Sequence, residues 1–198
     1  MSKGRSYKRG GVFRDSRRFL IFTEGAKREV RYFEAVGVDE RRVSVLIFGA
    51  DPIINDSSPE QTLARAIAQI KKSPLMEDDR VWLVIDKDRW SEKQLMLVQR
   101  SCNDKGWNLA ITNPCFELWL YLHYAELPEG NTSSCQQLKT ALGELTIPEG
   151  YQPEIALKGI DDAIRRAKVL DENPDLVIPP RNVSRIYLLF EDLKDFLV

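Results

Sequence analysis

VWLVIDKDRW (Val81–Trp90) decides the fold. Five apolar residues, Val81–Ile85, run directly into Asp86-Lys87-Asp88. A short apolar run that breaks off into carboxylates reads as a strand buried on both faces, with its last residues emerging at the sheet edge. Two further runs share this character: RFLIFT (Arg18–Thr23), which stops at Glu24-Gly25, and VSVLIF (Val43–Phe48), which stops at Gly49. WNLAIT (Trp107–Thr112) is a weaker fourth.

Helical spacing fills the intervals. Val30, Phe33 and Val36 fall on one face of Lys27–Val36. Ser58-Pro59-Glu60 supplies an N-cap, a first-turn proline and an acid, and opens a helix with Leu63, Ile67 and Ile70 as its stripe. Ser91–Asn103 turns Leu95 and Val98 inward, and Asn113-Pro114 repeats the cap-plus-proline start before Cys115–Tyr124. Four βα units in succession predict an α/β fold: a four-stranded parallel sheet, order 2-1-3-4, flanked by helices. Beyond about residue 125 strand signals cease. Ser134–Leu145, Gly159–Asp171 and Asn182–Leu197 read as a helical C-terminal extension, 126–198, packed on a sheet domain, 18–125. The last of these helices carries a broad apolar face that suits either burial on the sheet or docking of a partner.

Composition sets the outer bounds. The 198 residues are 43% hydrophobic and 30% charged, and 29 Lys+Arg against 30 Asp+Glu give a net charge of −1. That balance excludes a uniformly basic nucleic-acid coat, but it hides an asymmetry. Lys3, Arg5, Lys8, Arg9, Arg14, Arg17 and Arg18 face Asp15 alone near the start, so 1–17 reads as a flexible basic arm suited to a phosphate backbone or to solubility. No apolar run approaches a membrane span, no signal-peptide pattern precedes Gly11, and Cys102, Cys115 and Cys135 lack metal-site spacing; a cytoplasmic protein with no membrane contact is expected.

Chemistry is expected where the strands end. In an extended chain Asp86 and Asp88 share one side while Lys87 points away. Two carboxylates so placed repel each other, and a hard divalent cation relieves that repulsion. Glu24 adds a third acid if its strand neighbours Val81–Ile85. Lys27 sits in the turn after Glu24, where a cation can meet a phosphate. Asn113 as helix cap would put free backbone N–H groups at the same edge. Glu117, one turn on, is either a ligand, an anchor for Lys27 or a surface acid. His123, the only histidine, lies in an apolar helix and reads first as a packed core residue.

FLIFTEGAKREVRYF (Phe19–Phe33), VWLVIDKDRW (Val81–Trp90) and NPCFELWLYLHY (Asn113–Tyr124) resemble the signature blocks of RloB-like proteins, and the pairing of a strand ending in Glu-Gly with one ending in DxD resembles the Toprim domain of topoisomerases, bacterial primases and the overcoming-lysogenization-defect nucleases. The resemblance covers about 18–124, and the helical tail more loosely. It implies a Toprim-like nuclease of restriction-linked, abortive-infection phage-defence loci, encoded beside an AAA-type ATPase. It also implies Glu24, Asp86 and Asp88 as catalytic, metal-binding acids, with Glu29 matching a further acid that turns either toward a second metal or toward solvent, and Arg28 facing solvent. The chemistry expected is Mg²⁺- or Mn²⁺-assisted hydrolysis of a DNA or RNA phosphodiester. The alternative is a non-catalytic interaction or sensor subunit of a defence complex.

Overall fold

Strand β1 (Arg17–Thr23) lies between β2 (Val43–Phe48) and β3 (Arg80–Asp86), and β4 (Asn108–Asn113) follows β3; all four run parallel. The computed structural model describes residues 16–51, 53, 57–128, 133–148 and 150–198, so the expected basic arm, apart from Ser16 and Arg17, lies outside the described residues. Residues of β1 alternate between two cores, as period two requires. Phe19 and Ile21 face one side, Leu20 and Phe22 the other, and all four are buried.

The sheet is mixed and five-stranded, order β2-β1-β3-β4-β5, which corrects the expected all-parallel four. Strand β5 (Val183–Ser184) pairs antiparallel with the end of β4. Asn182, with φ of 68°, turns the chain into it, and the Thr112 and Ser184 hydroxyls bond across the pair at 2.9 Å. Two residues of strand leave no periodicity to read, which is why the pattern shows only helix there.

On one face pack α2 (Pro59–Lys72) and α3 (Glu92–Lys105), each opened by a reciprocal capping box, Ser58 with Gln61 and Ser91 with Gln94. Gly106, in the left-handed region at φ 66°, closes α3. The opposite face is covered by α1 (Arg28–Glu34), α4 (Glu117–Leu122) and α8 (Ile186–Leu193). Around them stand α5 (Cys135–Leu145), the short α6 (Pro153–Ala156) continued by a tight turn to Gly159, and α7 (Ile160–Leu170). Trp119 stacks on Phe190 at 5.6 Å, and Tyr32 meets Phe116 edge-on at 5.5 Å. Ile186, Tyr187, Leu189, Phe190 and Leu193 are all buried. The apolar side of the last helix is therefore core, not an open docking face, and the C-terminal segment completes both the sheet and its main packing layer. Truncating Phe190 to Ala would cost about 3–5 kcal/mol.

Candidate functional site

Parallel strands β1 and β3 end side by side, so the residues that follow them are forced together at one edge. The register Thr23↔Val84 puts Glu24 level with the end of β3, where its own N–H donates to the Val84 carbonyl at 3.0 Å. The Glu24 carboxylate then reaches across. It accepts from the Asp86 backbone N–H at 3.2 Å and from the Trp90 indole N–H at 2.8 Å. Thr23 holds the turn from beneath, donating its hydroxyl proton to the Gly25 carbonyl at 2.8 Å. Glu29, at the start of α1, folds its carboxylate back over Gly25 so closely that a side chain there would overlap it.

Asp86 is the centre of this corner. Burial lifts its carboxyl well above the usual carboxylate range, and the charges of Glu29, Glu24 and Glu117 lift it further, against one favourable contact from the Phe116 backbone amide. Burial likewise pushes Glu24 up to about 7 in spite of the Trp90 and Asp86 donors, and raises Glu29, which also feels Glu117. Arg89 lowers Glu24 somewhat and Arg28 and Lys139 lower Glu29, but among the described residues Glu117 is the acid of this corner that stands in an ion pair. It is 7% exposed, paired with Arg28 and lying 3.7 Å from the Lys139 ammonium.

Several placements differ from the sequence reading. Strand β3 stops at Asp86, and the chain turns at once: the Trp90 N–H donates to the Lys87 carbonyl at 2.9 Å and the Lys87 ammonium to the Trp90 carbonyl at 2.7 Å. Asp88 therefore sits exposed on a turn, its N–H bound to the Pro114 carbonyl, not in the extended array that would align it with Asp86. It still borders the same space: the Cys135 thiol, which hydrogen-bonds Cys115, is raised by burial and by the charges of Asp88, Asp86 and Glu117. Asn113 caps no helix. It is the last residue of β4, paired with Val183, and its amide donates to the Pro179 carbonyl at 3.0 Å; α4 opens only at Glu117. Lys27 is exposed at the start of α1, and Glu117 is anchored not to it but to Arg28, which faces solvent as expected while making this pair. His123 is buried, shares a 3.0 Å hydrogen bond with the Tyr32 hydroxyl, and is pushed by burial down to about 4, so it is a neutral core residue.

Trp90 and Arg28 are the functional neighbours that sequence reasoning missed. Trp90 closes the deciding motif itself, one turn after Asp86, and an aromatic N–H beside a DxD was the available signal. Arg28 gave none, because its partner lies 89 residues away in the chain.

The donor set here is carboxylate oxygen in mutual repulsion, which suits a hard divalent cation. As the side chains stand, no three His, Cys, Asp or Glu among the described residues are gathered to hold one. Glu24 is turned to Trp90 and Glu117 to its cations. Among the described residues no helix is long and apolar enough to cross a membrane.

Comparison with curated proteins and with solved structures finds no match. A family model does match, that of the RloB-like protein family, and it extends over residues 19–193, through the parallel strands, the acid corner and the C-terminal helices alike. With that span matched, the chain belongs to the RloB-like protein family.

Proposed function

We propose that this chain is a Toprim-like, divalent-metal-dependent nuclease that hydrolyses phosphodiesters of DNA or RNA in phage defence, working with an ATPase partner. One observation carries the reading. Asp86, Glu24 and Glu29 lie half-buried together at the carboxyl edge of two parallel strands, and among the described residues no cationic side chain is bonded to any of them. Keeping like charges in such a place costs stability, and a ligand that supplies the counter-charge removes the cost.

Asp86, Glu24 and Asp88 would hold Mg²⁺ or Mn²⁺, with Glu29 behind them. The bound ion supplies Lewis acidity toward a phosphate oxygen and a stabilised leaving oxygen. The protein's own part is placement. The Trp90 indole and Asp86 amide fix Glu24 beside β3, Phe116 fixes Asp86, and the Arg28–Glu117–Lys139 group sets cationic side chains beside the acids, where a nucleic-acid backbone must pass. The basic arm, 1–17, adds phosphate contacts that strengthen as salt is lowered.

The non-catalytic reading draws on a different observation, that Glu24 is engaged by Trp90 and no metal-ready trio stands among the described residues. One experiment separates the two. Wild type, Asp86→Asn and Asp88→Asn are titrated calorimetrically with Mg²⁺ and Mn²⁺, and incubated with labelled DNA and RNA with and without the ATPase. The nuclease reading expects saturable binding and cleavage in wild type, with both lost in Asp86→Asn. Equal metal affinity in all three proteins overturns it and leaves the scaffold.

A further inference from the structure

The turn that follows Asp86 is tied down by its own bonds. The Asp88 N–H donates to the Pro114 carbonyl at 2.8 Å, the Trp90 N–H to the Lys87 carbonyl at 2.9 Å, and the Lys87 ammonium to the Trp90 carbonyl at 2.7 Å. Trp90 is held again by its indole N–H on Glu24, and its ring packs against the core beneath α2 and α3. Arg89 rides on this turn, and its guanidinium stands 4.7 Å from the centre of the Trp90 ring. Attraction to the ring face steadies the head of a long side chain that would otherwise sample many rotamers. The guanidinium is exposed, and among the described residues it makes no hydrogen bond and no ion pair. Neighbouring cations are placed differently. Arg28 and Lys139 are turned to Glu117, the Lys87 ammonium is bound to a carbonyl, and Lys27 is exposed with neither an acid nor a ring to fix it among the described residues. Arg89 stands close enough to Glu24 for its charge to favour the carboxylate, yet it is not bonded to it.

We propose that Arg89, steadied on the Trp90 ring, grips a backbone phosphate of the nucleic-acid strand that reaches the acid corner. This role rests on the nucleic-acid reading of that corner and adds the residue that sets the strand's position beside Glu24. Asp86, Glu24 and Glu29 repel an approaching phosphate, so a strand needs a counter-charge at the rim before it can come close. A cation paired with an acid has spent that charge. Arg89 is held by a neutral ring, so its position is fixed while its charge and its donors stay available. The forked guanidinium matches two oxygens of a phosphodiester, which an ammonium does not. As a purely structural device the residue has little to do, since it ties down no other segment.

Fluorescence anisotropy of a labelled single-stranded DNA, titrated with the full chain in EDTA over a range of salt, tests it without calling on cleavage. Wild type is expected to bind with an affinity that falls as salt rises. Arg89→Ala should weaken binding about tenfold at low salt and reduce the slope of log affinity against log salt by about 0.7, the share of one phosphate contact on a single strand. Arg89→Lys keeps the charge but not the fork, so it should retain the slope and lose only about threefold in affinity. Arg100→Ala removes an arginine that is also exposed, on α3, and should change neither quantity. Arg89→Gln, which keeps the stem over the ring, gives the same reading should the alanine variant fail to fold. A wild type that binds no strand overturns the proposal, as does an Arg89→Ala slope equal to wild type, or a loss at Arg100 as large as that at Arg89. Cleavage is read separately with Mg²⁺ and Mn²⁺. Binding with the expected loss at Arg89 but no cleavage supports the grip and removes the nuclease reading, whereas cleavage with an unaltered Arg89→Ala slope removes the grip alone.

Discussion

Asp171 is a buried carboxylate and Asp86 a half-buried one, and the fold treats them in opposite ways. Asp171, 6% exposed at the end of α7, is gripped by the Arg185 guanidinium at 3.0 and 3.2 Å and by the Tyr187 hydroxyl at 3.0 Å. Arg185 spends its remaining donors on the carbonyls of Leu176 and Asn173. Asp79 is managed likewise: burial alone would lift its carboxyl, but the Arg18 guanidinium and the Met76 and Arg18 amides hold it below the usual range. Asp86 has one backbone amide and three acidic neighbours. A chain that neutralises buried acids with arginine at two places and leaves a third uncompensated has a structural use for the first two. The third has only a cost, unless a ligand pays it.

The contrast breaks first at Asp171. Asp171→Asn strands the Arg185 charge in the interior, where the loss of one partner of a buried pair costs about 3–5 kcal/mol. Urea denaturation should show a large fall in midpoint with an unchanged slope. A loss below about 1 kcal/mol, the level of an exposed pair, would mean that the pair is no more than surface decoration and that the comparison is empty.

Next in size is a pH dependence that only the uncompensated corner can produce. Unfolded, Glu24 releases its proton near the ordinary 4.5; folded, it holds it up to about 7. Between those values the folded state binds more protons, so stability falls as pH rises through that window and stays lower above it. After discounting for partial exposure, the loss is on the order of 2 kcal/mol in chelator-treated protein. Glu24→Gln flattens this slope, leaving the part that the raised Asp86 and Glu29 carboxyls contribute, while Asp79, held below the usual range by Arg18, contributes none in that window. Melting temperatures of wild type and variant from pH 5 to pH 8 give the answer; parallel curves would show that Glu24 titrates normally.

The same contrast marks how far the sequence could be read. Strands β1 to β4 and their helices were legible because each apolar run is bounded by a turn signal, and Glu24 and Asp86 were legible because both close such runs. The alignment of Asp88 with Asp86 was misjudged because extended geometry was carried two residues past the point where Lys87 and Trp90 fold the chain into a turn. Asn113-Pro114 carries a strong local helix signal, but pairing with Val183 keeps Asn113 in the sheet. Arg28 with Glu117 and Arg185 with Asp171 are tertiary pairings, and nothing in local spacing distinguishes a guanidinium that will find a buried acid from one that will face water.

The smallest expected effect is the most telling. Asp86→Asn keeps the shape of the side chain, and with it the capacity to accept the Phe116 amide, while deleting a charge that burial and three acids already oppose. In chelator, at neutral pH, its unfolding free energy should therefore match wild type or exceed it by up to about 1 kcal/mol, where Asp171→Asn loses several. The two substitutions are chemically identical, so the difference isolates the surroundings. A stability loss at Asp86 as large as that at Asp171 would mean that Asp86 has a structural counter-charge after all, and the case for a ligand at the acid corner would fall with it.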